Sequence, residues 1–198
     1  MDTPKKVVAL TFDDGPTGKT DSILAILDRT NVKATFFVTG KDLEKNRMQG
    51  QKIVSAGHQL GNHTYSHTRM VLKTMSYIKR EIEKTDSLIR LTGYRDEILF
   101  RPPNGKKLFV LPYYLKQTNR KTIMWDVEPE SYTEIASGSE AIMKQVLEKT
   151  RPGSIILLHP MNDGRNESVK AITGIVNGLK QRGYTFKTVT ELFQYAEQ

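Results

Sequence analysis

Apolar runs of strand length alternate along this chain with stretches in which apolar residues recur every three or four positions. Val7-Val8-Ala9-Leu10-Thr11-Phe12 is continuous, β-branched and aromatic, the pattern of a buried strand. A turn, Asp13-Asp14-Gly15-Pro16, follows it, and then Ile23, Ile26 and Leu27 fall at helical spacing. Ala34-Thr35-Phe36-Phe37-Val38 predicts the next strand, with Ile53 and Val54 on the helix after it, and a third strand ends near Leu60-Gly61-Asn62. Ile78, Ile82, Thr85 and Ile89 form one helical stripe. Ile98-Leu99-Phe100, Thr122-Ile123-Met124-Trp125 and Ser154-Ile155-Ile156-Leu157-Leu158 read as further strands. Helices carrying Ile142 and Val146, then Ile172, Ile175, Val176 and Leu179, follow the last two, and Thr185-Phe186 precedes a final helix near Glu191–Tyr195. This is an α/β chain of about six or seven β/α units with short connections, which implies a mainly parallel sheet. The pattern alone does not choose between a closed barrel and an open sheet.

Polar residues of catalytic type fall just beyond these strands. Asp13 and Asp14 follow the first, His63 the third, and Arg101, Asp126 and His159 later ones. In parallel α/β folds the loops at the carboxyl ends of the strands carry the site, so residues distant in sequence converge on one mouth.

Composition narrows the chemistry. With 198 residues, 37% apolar and 26% charged, the chain fits one globular domain. No apolar run approaches the roughly 20 residues of a membrane span. The start, Met1-Asp2-Thr3-Pro4-Lys5-Lys6, has no apolar leader core. Either a targeting segment lies outside this sequence, or the protein is cytoplasmic with a short leader. Cysteine is absent, so any metal must be held by His, Asp or Glu. The net charge is +8, but the basic residues are scattered without aromatic interleaving. That distribution argues against nucleic acid and for generic solubility or attraction to an anionic polymer.

His63-Thr64-Tyr65-Ser66-His67 places two imidazoles at i and i+4, on one face of a helical turn, where both can reach one ion. A carboxylate from Asp13 or Asp14 would complete a hydrolytic metal site, leaving its neighbour free to accept a proton. Paired aspartates at a strand end also suit magnesium and phosphoryl transfer, but that reading gives the histidines no role. Arg101-Pro102-Pro103 is stiff and suits an arginine that orients a carboxylate. His159, ending an apolar strand, is placed to protonate a leaving amine. His58 reads as structural.

Together these residues resemble the polysaccharide deacetylases of carbohydrate esterase family four, the NodB-homology domain. Thr11-Phe12-Asp13-Asp14-Gly15-Pro16 matches the family's first motif, and His63-Thr64-Tyr65-Ser66-His67 the second. Arg101-Pro102-Pro103 is similar to the third, Trp125-Asp126-Val127-Glu128-Pro129 lies in the fourth, and Leu157-Leu158-His159 matches the fifth. The resemblance implies a distorted (β/α) barrel of about seven units, with residues 5–196 forming a single catalytic domain. It implies that Asp14, His63 and His67 hold one divalent ion, zinc first, with cobalt or nickel as alternatives. Asp13 would be the general base, Arg101 its orienting partner, and His159 the general acid. The backbone N–H of Asn104 would face the oxyanion, and Trp125 and Leu157 would line the acetyl pocket. The implied partner is an N-acetylated glycan of the peptidoglycan or chitin type, cleaved outside the cell or at the wall by a monomer.

Two positions depart from the family pattern. Asn104 stands where an aromatic residue is usual, and Ser131-Tyr132 where an Asp-Trp pair is common. The missing aspartate would leave His159 less basic unless Asp126 or Glu130 takes its place. An amidase or deformylase acting on a small substrate, or a weakened glycan-binding homologue, is the alternative function.

Overall fold

The apolar run after Lys6 becomes the axis of the fold. In the computed structural model, which describes residues 5–196, β1 (Val7–Asp13) is buried along its whole length. It pairs in parallel with three other strands. The reading of the chain start falls largely on Met1–Pro4, outside the described residues.

From β1 the chain runs through α1 (Thr20–Arg29), β2 (Thr35–Val38), α2 (Gly40–Lys45), α3 (Arg47–Ser55) and β3 (Gln59–Asn62). It continues through α4 (Met75–Leu91), β4 (Leu99–Phe100), α5 (Val110–Gln117), α6 (Thr133–Ala136) and α7 (Ser139–Lys149). It closes with β5 (Ile155–Leu158), α8 (Asn166–Gln181), β6 (Thr185–Lys187) and α9 (Val189–Ala196). The six strands form one sheet in the order β4-β3-β2-β1-β5, with β6 against the first half of β1. All pairs are parallel, as helical crossovers require.

Thr122–Trp125, expected as a strand, forms no ladder. Thr122 makes a single bridge to Phe100 of β4, and Val127 one to Ile156 of β5. The stretch from Thr122 to Val127 therefore touches both edges of the sheet, once each. It supplies the irregular seventh stave of a distorted barrel, and no continuous ladder closes the ring. Its pairing is broken because Asp126 turns its side chain into the backbone of β5, accepting from the Ile155 N–H at 2.8 Å.

Alternation along the strands makes two cores. Val8, Leu10, Phe12, Phe36, Leu60, Ile156 and Leu158 face outward and pack beneath apolar residues of α1, α7 and α8. Val7, Ala9, Phe37, Leu99 and Ile123 face inward, where Val189 and Leu192 of α9 fill the amino end of the ring. Further along β1 the inward positions become Thr11 and Asp13, so polarity begins where the apolar plug ends. A third cluster joins Met70, Ile78, Ile82 and Phe100 to Leu111, Tyr114 and Leu115 of α5. Among the described residues no helix is long and apolar enough to cross a membrane.

Gly61, in the middle of β3, faces the Phe37 ring across the pair. A Cβ at Gly61 would lie 2.4 Å from a ring carbon, which forces Phe37 or the strand to move. Gly61→Ala should therefore destabilise the fold by about 1–3 kcal/mol, read as a lowered denaturant midpoint at unchanged slope.

Candidate active site

The carboxyl ends of β1, β3, β4 and β5 bring the predicted residues together. Arg101, the residue after β4, is fully buried. Its Nη1 donates to Asp13 Oδ1 at 2.6 Å and to Thr11 Oγ1 at 2.9 Å. Its guanidinium lies 4.0 Å from the centroid of the Phe37 ring and 5.3 Å from that of Trp125. Burial disfavours its charge, and the Asp13 carboxylate opposes that. The pair is one whose breaking on one side costs about 3–5 kcal/mol, because a charge is left buried alone.

The same residue anchors the imidazoles. His63 Nδ1 lies 2.8 Å from the Arg101 carbonyl oxygen, so Nδ1 carries the hydrogen and Nε2 presents its lone pair. That Nε2 is 3.6 Å from Asp13 Oδ2. Burial pushes the His63 pKa down, against the opposing pull of Asp13 and Asp14, and a neutral ring is the form that binds a metal.

The second imidazole arrives by a route other than the one expected. His63–His67 is not a helical turn. Thr64 and His67 both take left-handed conformations, φ 67° and 57°, and this irregular loop sets the two rings 4.9 Å apart. The loop is held from outside. Thr64 N–H donates to Asn62 Oδ1 at 2.8 Å, and Glu81 of α4 accepts from Ser66 N–H at 2.8 Å. Gly40 and Lys41 N–H donate to the Thr64 and Tyr65 carbonyls, each at 2.9 Å.

Asp14 is also left-handed, at φ 70°. Its Oδ1 lies 3.4 Å from His67 Nε2. Asp14, His63 and His67 each offer one donor atom, all within 4.8 Å of one another. Two imidazole nitrogens and a carboxylate at that spacing fit a divalent ion about 2 Å from each, with coordination positions left for water.

At the far side, His159 follows β5. Its Nδ1 is 3.0 Å from Glu130 Oε2, and its backbone N–H donates to the same oxygen at 2.6 Å. Ser168 of α8 donates to the other carboxylate oxygen. Burial alone would push the His159 pKa down, but the bond to Glu130 and the charges of Asp13, Glu130 and Asp14 outweigh it and raise the value. Burial would likewise raise Glu130, yet its bonds from His159 and Ser168 hold it below its ordinary range. Glu130 thus fills the place of the missing aspartate, and His159 is not the weaker base expected without one. Asp126 does not: it accepts from Ser154 Oγ at 2.8 Å, at the opposite end of β5.

A family model described as polysaccharide deacetylase matches residues 1–123. This chain belongs to the polysaccharide deacetylases. A peptidoglycan-N-acetylglucosamine deacetylase of Bacillus cereus is 36% identical over 197 residues, covering 98% of this chain and 70% of that relative. A bifunctional xylanase/deacetylase of Pseudobutyrivibrio xylanivorans is 36% identical over 196 residues, but this chain spans only 31% of its length. Among solved structures, the Xyl-CE4 domain of a multidomain xylanase from the hindgut metagenome of Trinervitermes trinervoides superposes with a TM-score of 0.89. It is 34% identical, and the match covers 98% of this chain and 92% of that one.

The remaining expected residues of this deacetylase lie around the same mouth. Leu157 is buried beside Thr11 in the strand register. Trp125 donates from Nε1 to Glu128 Oε2 at 2.8 Å. Asn104, left-handed at φ 56°, has an exposed side chain whose Oδ1 accepts from Arg69 Nε at 3.3 Å. His58 is structural: its Nδ1 accepts from the Ala34 N–H at 3.2 Å, and burial pushes its pKa down to about 4.

Four contributors were not read from the sequence: Thr11, Asn62, Glu81 and Asn162. Glu81 had a signal, a carboxylate beside the buried stripe of Ile78 and Ile82. Asn162 had none. Its Nδ2 donates to Asp14 Oδ2 at 2.9 Å, which leaves Oδ1 directed at His67, and Lys19 Nζ holds its carbonyl at 2.6 Å. Asn162→Ala should weaken binding of a divalent ion about tenfold, the usual effect of losing a ligand's supporting hydrogen bond. Competition with a chromophoric chelator measures this, and the melting temperature of the metal-free protein should not change.

Proposed function

We propose that residues 5–196 are the catalytic domain of a metal-dependent deacetylase that removes N-acetyl groups from glycans containing N-acetylglucosamine, at the wall or outside the cell. The observation that carries the reading is the division of labour between adjacent aspartates. Asp14 points to the imidazole pair, while Asp13 is held by Arg101 with one oxygen spare. The named activities of the relatives supply the substrate class.

The residues that would hold the ion are Asp14, His63 and His67. When bound, a divalent ion supplies Lewis acidity, lowering the pKa of water toward about 7 and drawing charge from a carbonyl oxygen. Zinc suits two imidazoles and a carboxylate best, and cobalt or nickel would also serve. The chain's own groups do the rest. Arg101 occupies Asp13 Oδ1, so Oδ2 is the oxygen that accepts the proton of the attacking water. The backbone N–H of Asn104 faces the oxygen of the tetrahedral carbon, where one such donor is worth about a hundred- to a thousandfold in rate. His159 keeps Nδ1 on Glu130 and offers a proton from Nε2 to the sugar nitrogen as the C–N bond breaks. Water and the acetamide thus become acetate and the free amine. Trp125 and Leu157 close around the methyl group. One chain supplies every group, consistent with a monomer.

Acetate release from N-acetylglucosamine oligomers and from peptidoglycan tests the reading. Asp13→Asn should lower kcat by at least about a hundredfold while the protein still takes up one divalent ion. Full activity after exhaustive chelation would sink the proposal. The pH profile tests the acid. Glu130 raises the His159 pKa, so a charge-free Glu130→Gln should lower it. His159 must be protonated to act, so the alkaline limb of the kcat profile should then move to lower pH. An unmoved limb would assign the acid to another group.

A further inference from the structure

The loop after Arg101 continues into a surface that the chemistry above does not use. From Lys106 to Lys116 the solvent face of the chain is aromatic and cationic, although α5 is an ordinary amphipathic helix on its other side. Leu111, Tyr114 and Leu115 are buried, whereas Phe109 is 84% exposed and Tyr113 57%. These two are one helical turn apart and share a face. Among the described residues, the ammonium groups of Lys106, Lys107 and Lys116 have no hydrogen-bond, ion-pair or ring partner.

The ridge borders the site. Asn104, two residues before Lys106, is tied by Arg69 to the loop that follows His67. Met70 of that loop packs into one cluster with Leu111 and Tyr114. Exposed aromatic rings flanked by unpaired positive charge are a surface for a partner that is both ring-bearing and anionic.

Resting on the deacetylase reading, we infer that this ridge binds an acidic glycan strand whose sugar backbone carries carboxylate-bearing side groups, the chemistry of peptidoglycan with its stem peptides. Phe109 and Tyr113 take apolar sugar faces or peptide methyl groups, and the three lysines take carboxylates. The acetamide then lies at the mouth while the acidic substituents lie along α5. A neutral strand such as chitin gains only the aromatic part.

The test uses the full chain, a chitin pentamer, and soluble peptidoglycan strands bearing stem peptides. Replacing Lys106, Lys107 and Lys116 together by Gln should raise KM on the acidic strands about tenfold, as three exposed charges allow. The value of kcat, and all parameters on the chitin pentamer, should stay unchanged. The advantage of the unmodified protein on acidic strands should shrink as salt rises from about 0.05 to 0.5 M. Equal losses on both substrates, or no loss on either, overturn the inference. Co-sedimentation with insoluble wall provides a reading independent of turnover: the unmodified protein should pellet and the triple variant should stay in solution, even if no acetate is released from any substrate and the deacetylase reading fails. Equal pelleting of both proteins overturns the ridge alone. Pelleting of the unmodified protein with vesicles of anionic phospholipid as strongly as with wall would assign the ridge to a membrane and overturn it too.

Discussion

The interior of the ring depends on one guanidinium. Arg101 is fully buried and lies against the aromatic faces of Phe37 and Trp125, and its ion pair with Asp13 is what makes a charge tolerable there. The same residue accepts from His63 through its carbonyl oxygen. A single position at the end of β4 thus leaves one Asp13 oxygen spare, fixes the tautomer of His63 and sets the register between two loops. The rigid Pro102-Pro103 step that follows gives Arg101 little freedom to leave. The contact that leaves the Asp13 oxygen spare is therefore the contact that neutralises a buried charge, and the two cannot be lost separately.

Strain is concentrated at the mouth. Asp14, Thr64, His67 and Asn104 all sit at positive φ, a region that a β-branched residue such as Thr64 enters only when its surroundings enforce it. The enforcement is visible in the bonds from Asn62, Gly40, Glu81 and Asn162. Gly40 has room for no side chain, since a Cβ there would lie 2.6 Å from both Thr85 Oγ1 and Tyr65. The loops that carry Asp14, His63 and His67 are held by their neighbours, not by their own propensities, which keeps the three donor atoms converged.

That arrangement explains which features could be read from the sequence. The β1 run, the α4 stripe and the β5 run were legible because burial on both faces or along one stripe leaves a periodic trace. That Asp13, Asp14, His63, His67, Arg101 and His159 converge was legible because strand ends are where parallel folds place polar groups. The conformation of His63–His67 was not legible. The spacing suggested a helix, whereas the loop is set by contacts with residues up to α4. The Thr122–Trp125 segment reads as a strand by composition, but the Asp126 side chain competes for the Ile155 N–H that a ladder would use. Between Asp126 and Glu130, sequence could not say which reaches His159, because that depends on how the segment climbs beside β5.

The Asn162–Asp14 hydrogen bond spans 148 positions of the chain. Asp14 and both imidazoles precede β4, whereas the group that aims the carboxylate follows β5. The bond that directs Asp14 therefore forms only once the segment after β5 has docked beside β1. Contacts of such long sequence separation raise the contact order that slows folding, and they make the aim of Asp14 depend on the pairing of β1 with β5.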